Sequence, residues 1–328
     1  MAFVRAILQA YAQAGVLPGA ALQAAQIAPN DAAQLTGHIT AWQMQQVSGY
    51  AMRELDDEAL GWFSRRLPWG SYGMLARASI SAPTLQVALV RWCRHHALVA
   101  PDITLSLQVA SDTACITITE HTQLNTLREF CLVSVLRNIY GVACWLVDSR
   151  IALQHAQMPF APPPHHADYA VLFPCTTTFN AGQASISFDS RYLGLSLRRD
   201  EKALQTMLQN ALPLTVLQYR RDRLLVQQVR QALAHHPAET HSAEGLAALL
   251  NVSPRTLHRQ LREEGASLQT LKDSVRRDRA TELLLRTQRP IKQVAEAAGF
   301  MNEKSFIRAF KGWTGTSPAE YRRQSSPD

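Results

Sequence analysis

Ala247-Ala248-Leu249-Leu250-Asn251-Val252-Ser253-Pro254-Arg255-Thr256-Leu257 returns, in altered form, as Ala295-Glu296-Ala297-Ala298-Gly299-Phe300-Met301-Asn302-Glu303-Lys304-Ser305-Phe306. In each copy a small residue sits on a short apolar segment. Four residues later comes Asn or Gly, where the chain can pass through the left-handed region. An N-cap residue, Ser253 or Asn302, then opens a new helix, and Pro254 fixes the start of the first one. This is the helix-turn-helix pattern, whose second helix lies in the major groove of DNA. One copy is a moderate signal. Two copies 48 residues apart, joined by a helical stretch, are a strong one.

Charge is distributed to match. The segment from Leu214 to the C-terminus holds 19 of the 33 lysines and arginines and 12 of the 26 acidic residues, while the first 213 residues hold 14 of each. The whole excess therefore belongs to the segment carrying the repeats. That is where phosphate neutralisation requires it, although a solvated basic surface would give the same count.

The length of 328 residues implies about two domains, at ~150 residues each. Residues 3–14, 19–26 and 31–55 read as amphipathic helices, and Pro83-Thr84 opens another. After Pro101 the period changes. Ile103, Leu105, Leu107 and Val109 alternate with polar residues, Ser111-Asp112 makes a turn, and Ile116 and Ile118 alternate again, which predicts a hairpin. Leu124–Tyr140 returns to helix with Gly141 ending it, and further strands are expected at 150–154 and 184–189. The expected fold is thus two-domain: a mixed α/β effector domain over 1–197 and an all-α DNA-binding domain over 235–328. The latter holds two helix-turn-helix motifs joined by a long helix. A helical linker over 198–234, bearing Leu204, Leu208, Leu212, Leu217, Leu224, Leu225 and Val229 and interrupted by Pro213, would connect them and offers a dimerisation surface. No charged-then-apolar leader opens the chain, and no apolar run reaches the ~18 residues of a membrane span. The five cysteines, odd in number and widely spaced, have neither disulfide-scaffold nor zinc spacing. A cytoplasmic protein with reduced thiols is expected, those thiols being structural rather than oxidant sensors.

Several runs resemble a known family. Gly73-Met74-Leu75-Ala76-Arg77-Ala78 followed by Ser81-Ala82-Pro83-Thr84-Leu85-Gln86-Val87 resembles the effector domain of a subgroup of AraC/XylS-type regulators, which includes the ornithine-utilisation-type regulators. Tyr169 through Cys175, Phe179-Asn180 and Ile186 through Asp189 fit the same domain. The match is more specific in Ser253 through Leu261, in Gly299-Phe300 through Phe310-Lys311, and in Gly315-Thr316-Ser317-Pro318-Ala319-Glu320-Tyr321-Arg322, which resemble the DNA-binding domain of the whole family. Asn251 departs from the Gly often found at that turn. The resemblance implies a regulator, commonly an activator beside RNA polymerase and often a homodimer, controlled by a small-molecule effector.

Leu257 and Leu261 are expected to face the core of the first recognition helix. Arg255, Thr256, His258 and Arg259 then fall on its outer face or edges, and by resemblance Arg255, His258 and Arg259 are its base readers. In the second copy Phe306 and Phe310 pack inward, leaving Glu303, Lys304, Ser305 and Arg308 outward. Ser253, Arg276 and Arg277 are candidate phosphate contacts, because positioning contacts come from helix starts and from cations beside the reading helices. Trp42, Trp62, Trp69, Arg91 and Trp92 are candidate effector-pocket residues, although core packing explains the tryptophans equally well.

Other constellations carry less. His95-His96, His165-His166 and His235-His236 are adjacent pairs, which on a helix diverge by about 100° and chelate poorly, so no metal is expected. Asp56-Asp57-Glu58 reads as an acidic turn at a helix start rather than as paired catalytic carboxylates. No glycine-rich phosphate loop or nucleophile elbow is present, and neither a cofactor nor an enzymatic activity is expected. Two alternatives stay open. One is a constitutive architectural DNA binder whose N-terminal domain is a dimerisation scaffold; the other is an enzyme domain fused to a DNA reader.

Overall fold

A computed structural model describes residues 1–32, 37–209, 224–236, 239–240 and 242–325. The chain divides into two compact units, Met1–Asp222 and Arg223–Asp328. In the first, α1 (Ala2–Ala14) buries Val4, Ile7 and Tyr11 at helical spacing and ends at Gly15, whose positive φ of 68° closes the cap. Two short helices follow, α2 (Gly19–Ala24) and α3 (Pro29–Ala32). The long helix expected over 31–55 is divided, and its residues 33–36 lie outside the described residues. Helix α4 covers Ala41–Glu54 and begins at a capping box, in which Thr40 Oγ1 accepts from the Gln43 N–H and Gln43 Oε1 accepts from the Thr40 N–H. Helices α5 (Ser71–Ile80) and α6 (Leu85–Val99) pack together.

The acidic triplet does not open a local helix. Asp57 accepts from the N–H groups of Ala59, Gly61 and Leu67, while Glu58 accepts from those of Gly70 and Tyr72. Two buried carboxylates thus organise the loop between α4 and α5, and Glu58 caps α5 from twelve or more residues upstream. Sequence reading sees only the local helix start and misses this reach across the loop.

The predicted hairpin is present. Strands β1 (Ile103–Ala110) and β2 (Thr113–Glu120) pair antiparallel across Ser111-Asp112, with Ser111 at φ 52°. Strand β5 (Ala184–Asp189) pairs with β2, β3 (Leu153–Gln157) with β5, and β4 (Thr176–Thr178), not foreseen, runs parallel to β3; the order is β1-β2-β5-β3-β4. Gly141 does not end the central helix. Helix α7 runs Arg128–Val147 straight through it, and Asp148 terminates the helix at φ 50°. A mid-helix Gly costs only about 1 kcal/mol, less than burying the apolar residues that follow it. By length and composition α7 is also apolar enough to cross a membrane, contrary to the expected absence of such a run. However, 83% of that window is buried inside the unit, as in the core helix of a folded domain. A short helix, α8 (Tyr169–Leu172), and then α9 (Glu201–Gln209) complete the unit. Cys93, Cys131 and Cys144 are buried, and burial pushes the Cys93 thiol up to about 12 and Cys144 to about 11.

The 198–234 segment is split between the units. Its α9 lies in the first, where Arg77 pairs with Glu201 at 2.8 Å. Leu212, Pro213 and Leu217 lie outside the described residues. Helix α10 (Leu224–His235) belongs to the second unit: Val226, Val229 and Ala232 join Leu246, Ala247, Leu257, Leu261, Leu268 and Leu271 in one core. The first N–H groups of α10, from Leu225 and Val226, donate to the Glu264 carboxylate at 3.2 and 2.8 Å.

Two expectations follow for stability. Burial between Phe63 and Tyr72 holds His96 down at about pKa 4. The unfolded chain takes up this proton near pH 6.5 and the folded chain does not, so stability should fall as pH drops from 6.5 to 4, by on the order of 2–3 kcal/mol. His96→Phe should flatten that limb in urea titrations at a series of pH values; an unchanged slope would assign the loss elsewhere. Separately, residues 223–328 should be more stable than 236–328 by roughly 3 kcal/mol, since the shorter piece gives up the α10 side of its core. Equal unfolding midpoints would refute that role for α10.

Candidate nucleic-acid interface

The second unit contains two similar helix pairs. In the first, α11 (Ala243–Leu249) is capped by Ser242, whose Oγ accepts from the Gly245 N–H at 3.0 Å. Leu246 and Ala247 are buried, whereas Leu249 is 38% exposed. Asn251 turns the chain at φ 54°, the conformation anticipated for it. Helix α12 (Pro254–Glu263) then starts at Ser253, whose Oγ accepts from the Thr256 N–H at 3.1 Å and meets the Thr256 hydroxyl at 2.8 Å. Leu257 and Leu261 are fully buried, which turns Arg255, His258 and Arg259 to the surface and leaves Thr256 half-buried at the helix start.

The second pair repeats the plan. Helix α14 (Ile291–Ala297) buries Val294 and Ala295, Gly299 turns at φ 82°, and Asn302 caps α15 (Glu303–Thr314) by accepting from the Ser305 N–H at 2.8 Å. Phe306 and Phe310 are fully buried, with Phe300 and Trp313 tilted against them. Glu303, Lys304 and Arg308 are exposed and Ser305 is half-buried. Gly315 ends α15, and Ser317 and Glu320 form a capping box for α16 (Pro318–Ser325), whose Tyr321 packs edge-on against Phe310.

Helix α13 (Leu268–Arg286) stands between the pairs and serves both. Leu268 and Leu271 enter the first core; Ala280, Leu283 and Leu284 enter the second. Arg276 lies over the Phe300 ring at 5.0 Å, tying α13 to the second turn, and Arg277 is exposed beside Asp278.

In the first unit the five candidate pocket residues do not form one site. Trp62 lines a cavity of about 260 Å³ between α4 and α7; Trp69 and Trp92 line another, of about 360 Å³. Trp42 is an exposed residue in the wall of neither, and Arg91 is also outside both, its Nη1 donating to Ser81 Oγ at 3.0 Å. Both follow from helix phase: Trp42 and Arg91 fall on the outer faces of α4 and α6. The first cavity is also lined by Ser48, Arg137 and Asn138, which the sequence did not single out. Arg137 had a visible signal, a lone cation within the apolar run Phe130–Val147.

Comparison with known proteins finds a family match in each unit. Residues 15–197 match the family described as the arabinose-binding N-terminal domain of AraC transcription regulators, and residues 246–324 match a helix-turn-helix domain. The chain is 28% identical to the ornithine utilization regulator of Pseudomonas aeruginosa, over 98% of this chain and 95% of that one. It is 33% identical to the transcriptional regulator VqsM of the same organism, over 30% of each. Among solved structures, the DNA-binding domain of AdpA in complex with a target DNA is 32% identical, covering 30% of this chain and 90% of that one, with a TM-score of 0.28. The homologues are DNA-binding transcription regulators, not enzymes. With its first match spanning more than half its length, the chain belongs to the AraC-type transcription regulators that carry this N-terminal domain.

Proposed function

We propose that the chain is a sequence-specific activator that binds double-stranded DNA in the cytoplasm and works beside RNA polymerase as a homodimer. A small-molecule effector bound in the sensing domain, residues 1–197, would control it. The observation that carries the DNA half is the paired construction of the second unit. Two capped helices, α12 and α15, each keep one apolar face in a core and present the other, and one helix supplies residues to both cores. We read the pairs as two helix-turn-helix motifs with α13 as their linker. A 19-residue helix spans about 28 Å. That length suits two heads entering successive major-groove segments, about 34 Å apart on one face of the duplex.

In this reading Arg255, His258 and Arg259 read base edges from α12, with Thr256 at the helix start, and Lys304 and Arg308 read from α15 with Glu303 and Ser305 beside them. Ser253, Arg276 and Arg277 position the phosphates. Effector control is supported by the two cavities, whose walls share Met52 and Asn138. The second is also walled by Met207 and Leu208 of α9, the last described element before the chain passes to the DNA-binding unit.

Tests use a site selected by the full-length protein from random duplexes. Arg255→Ala and Arg308→Ala should each cost about 1–3 kcal/mol on that site and little on random DNA. Arg277→Ala should weaken both targets alike, with a shallower salt dependence. Arg276→Ala should also lower unfolding stability by about 0.5–1 kcal/mol, through its lost contact with Phe300. Fluorescence anisotropy at several salt concentrations decides. Proportional loss on both targets for all four variants would contradict the division into readers and positioners, and binding indifferent to salt would contradict the interface itself.

A further inference from the structure

The cavity of about 260 Å³ is bounded by two helical stripes. Met44, Ser48 and Met52 recur every four residues on α4, and Phe130, Val133, Ser134, Arg137 and Asn138 recur at three and four on α7. Such spacing keeps each set on one face of its helix. Both stripes would make ordinary core seams but for a few polar positions, and those positions share a chemistry.

Arg137 is only 2% exposed, so a guanidinium has been taken out of water onto the cavity wall. Burial lowers its pKa from the ordinary arginine value, and a guanidinium keeps its charge in proteins. Its Nη1 donates to the Leu172 carbonyl at 2.6 Å, and the group lies over the rings of Tyr140 and Phe173. Ser48, also 2% exposed, has its Oγ without a hydrogen-bond partner among the described residues, and the same holds for Nε1 of the buried Trp62. A buried donor without an acceptor costs free energy that an incoming acceptor returns. Guanidinium, hydroxyl and indole N–H are all donors, and together they fit a group that only accepts and carries negative charge. Asp168, also in the wall, is half-exposed and lies 3.4 Å from His38. The remaining wall is largely apolar, and the volume suits a small metabolite.

We propose that the cavity between α4 and α7 binds a small organic carboxylate. Arg137, Ser48 and Trp62 hold the carboxylate group, and Phe3, Met44 and Phe130 pack against its hydrocarbon body. The assignment rests on the reading of the first unit as a sensing domain and names the effector class for it. An amine placed there would face a like charge, and a neutral amide would bring no charge to the guanidinium.

Thermal unfolding of the full-length protein tests this with butyrate, hexanoate, phenylacetate and 4-hydroxybenzoate, each against its own amide, and with hexylamine and a set of neutral sugars. At ~100-fold excess over its Kd, the best carboxylate should raise the Tm by roughly 5 °C. Its amide should bind about tenfold more weakly or worse. Ser48→Ala should weaken the carboxylate several-fold while leaving the Tm of the free protein nearly unchanged, and Arg137→Gln should abolish the shift. If Arg137→Gln does not fold, the carboxylate-to-amide ratio and Ser48→Ala decide. Equal stabilisation by acid and amide, or undiminished carboxylate binding in Ser48→Ala, overturns the assignment. Stabilisation by sugars or hexylamine with none by carboxylates also overturns it, yet leaves ligand control standing. No stabilisation by any compound counts against both.

Discussion

The DNA-binding unit depends on one helix having two cores to serve. Leu268 and Leu271 at one end of α13 and Ala280, Leu283 and Leu284 nearer the other are each buried in a different cluster. Neither helix pair can shift along α13 without uncovering these residues, and each fully buried leucine is worth about 2 kcal/mol. Arg276 over Phe300, and Arg230 donating to Ser274 at 3.2 Å, add a lateral hold near the helix midpoint. The distance between the two presented helices is therefore a property of apolar packing rather than of a flexible connection. Spacing of that kind is what a bipartite reader needs, since an ill-fixed second head loses the entropic advantage of being tethered to the first.

In the first unit the corresponding constraint is α7. Its 20 residues are buried nearly all round, and a helix of that kind must hide its backbone and side chains alike. The unit does so with a sheet and with α1, α4 and α6. Within this apolar setting the polar groups are either tied into the chain or turned toward cavities. Asp57 and Glu58 belong to the first class: several backbone N–H donors compensate each carboxylate, although burial still raises the pKa of Glu58. Ser48 belongs to the second, and Arg137, which lines a cavity while donating to the Leu172 carbonyl, to both. A core that needed only stability would do better with apolar residues of similar volume at such positions.

How much of this was legible in the sequence follows from where each signal is stored. Caps, left-handed turns and alternating strands are local, so Ser253, Asn251, Asn302, Gly299 and the β1–β2 hairpin could be read directly. The phases of α12 and α15 were legible for the same reason, because Leu257, Leu261, Phe306 and Phe310 set them. Long-range choices were not legible. Nothing near Gly141 says that the residues beyond it will be buried, and nothing near Glu264 says that its carboxylate will receive the start of a helix 38 and 39 residues upstream. The tryptophans divide because aromatic residues serve pockets and cores alike: Trp62 and Trp92 are buried beside cavities, while Trp42 and Trp69 are about half exposed.

Both kinds of helix in the second unit carry cations at helical spacing. On α13, Arg279 and Arg286 approach the same residue, Glu282, at 3.5 and 3.6 Å, and Arg277 neighbours Asp278 at 3.3 Å, as on an ordinary solvated helix. On α12, Arg255, Arg259 and Arg262 recur at three and four residues, so that cationic side chains share one exposed face. Each such neighbour pair costs a few tenths of a kcal/mol in an isolated helix. The two fully buried leucines on the opposite face offset that cost several times over. On the proposed reading, a basic face of this kind suits a polyanion, whose phosphates turn repulsion between neighbouring cations into attraction on contact.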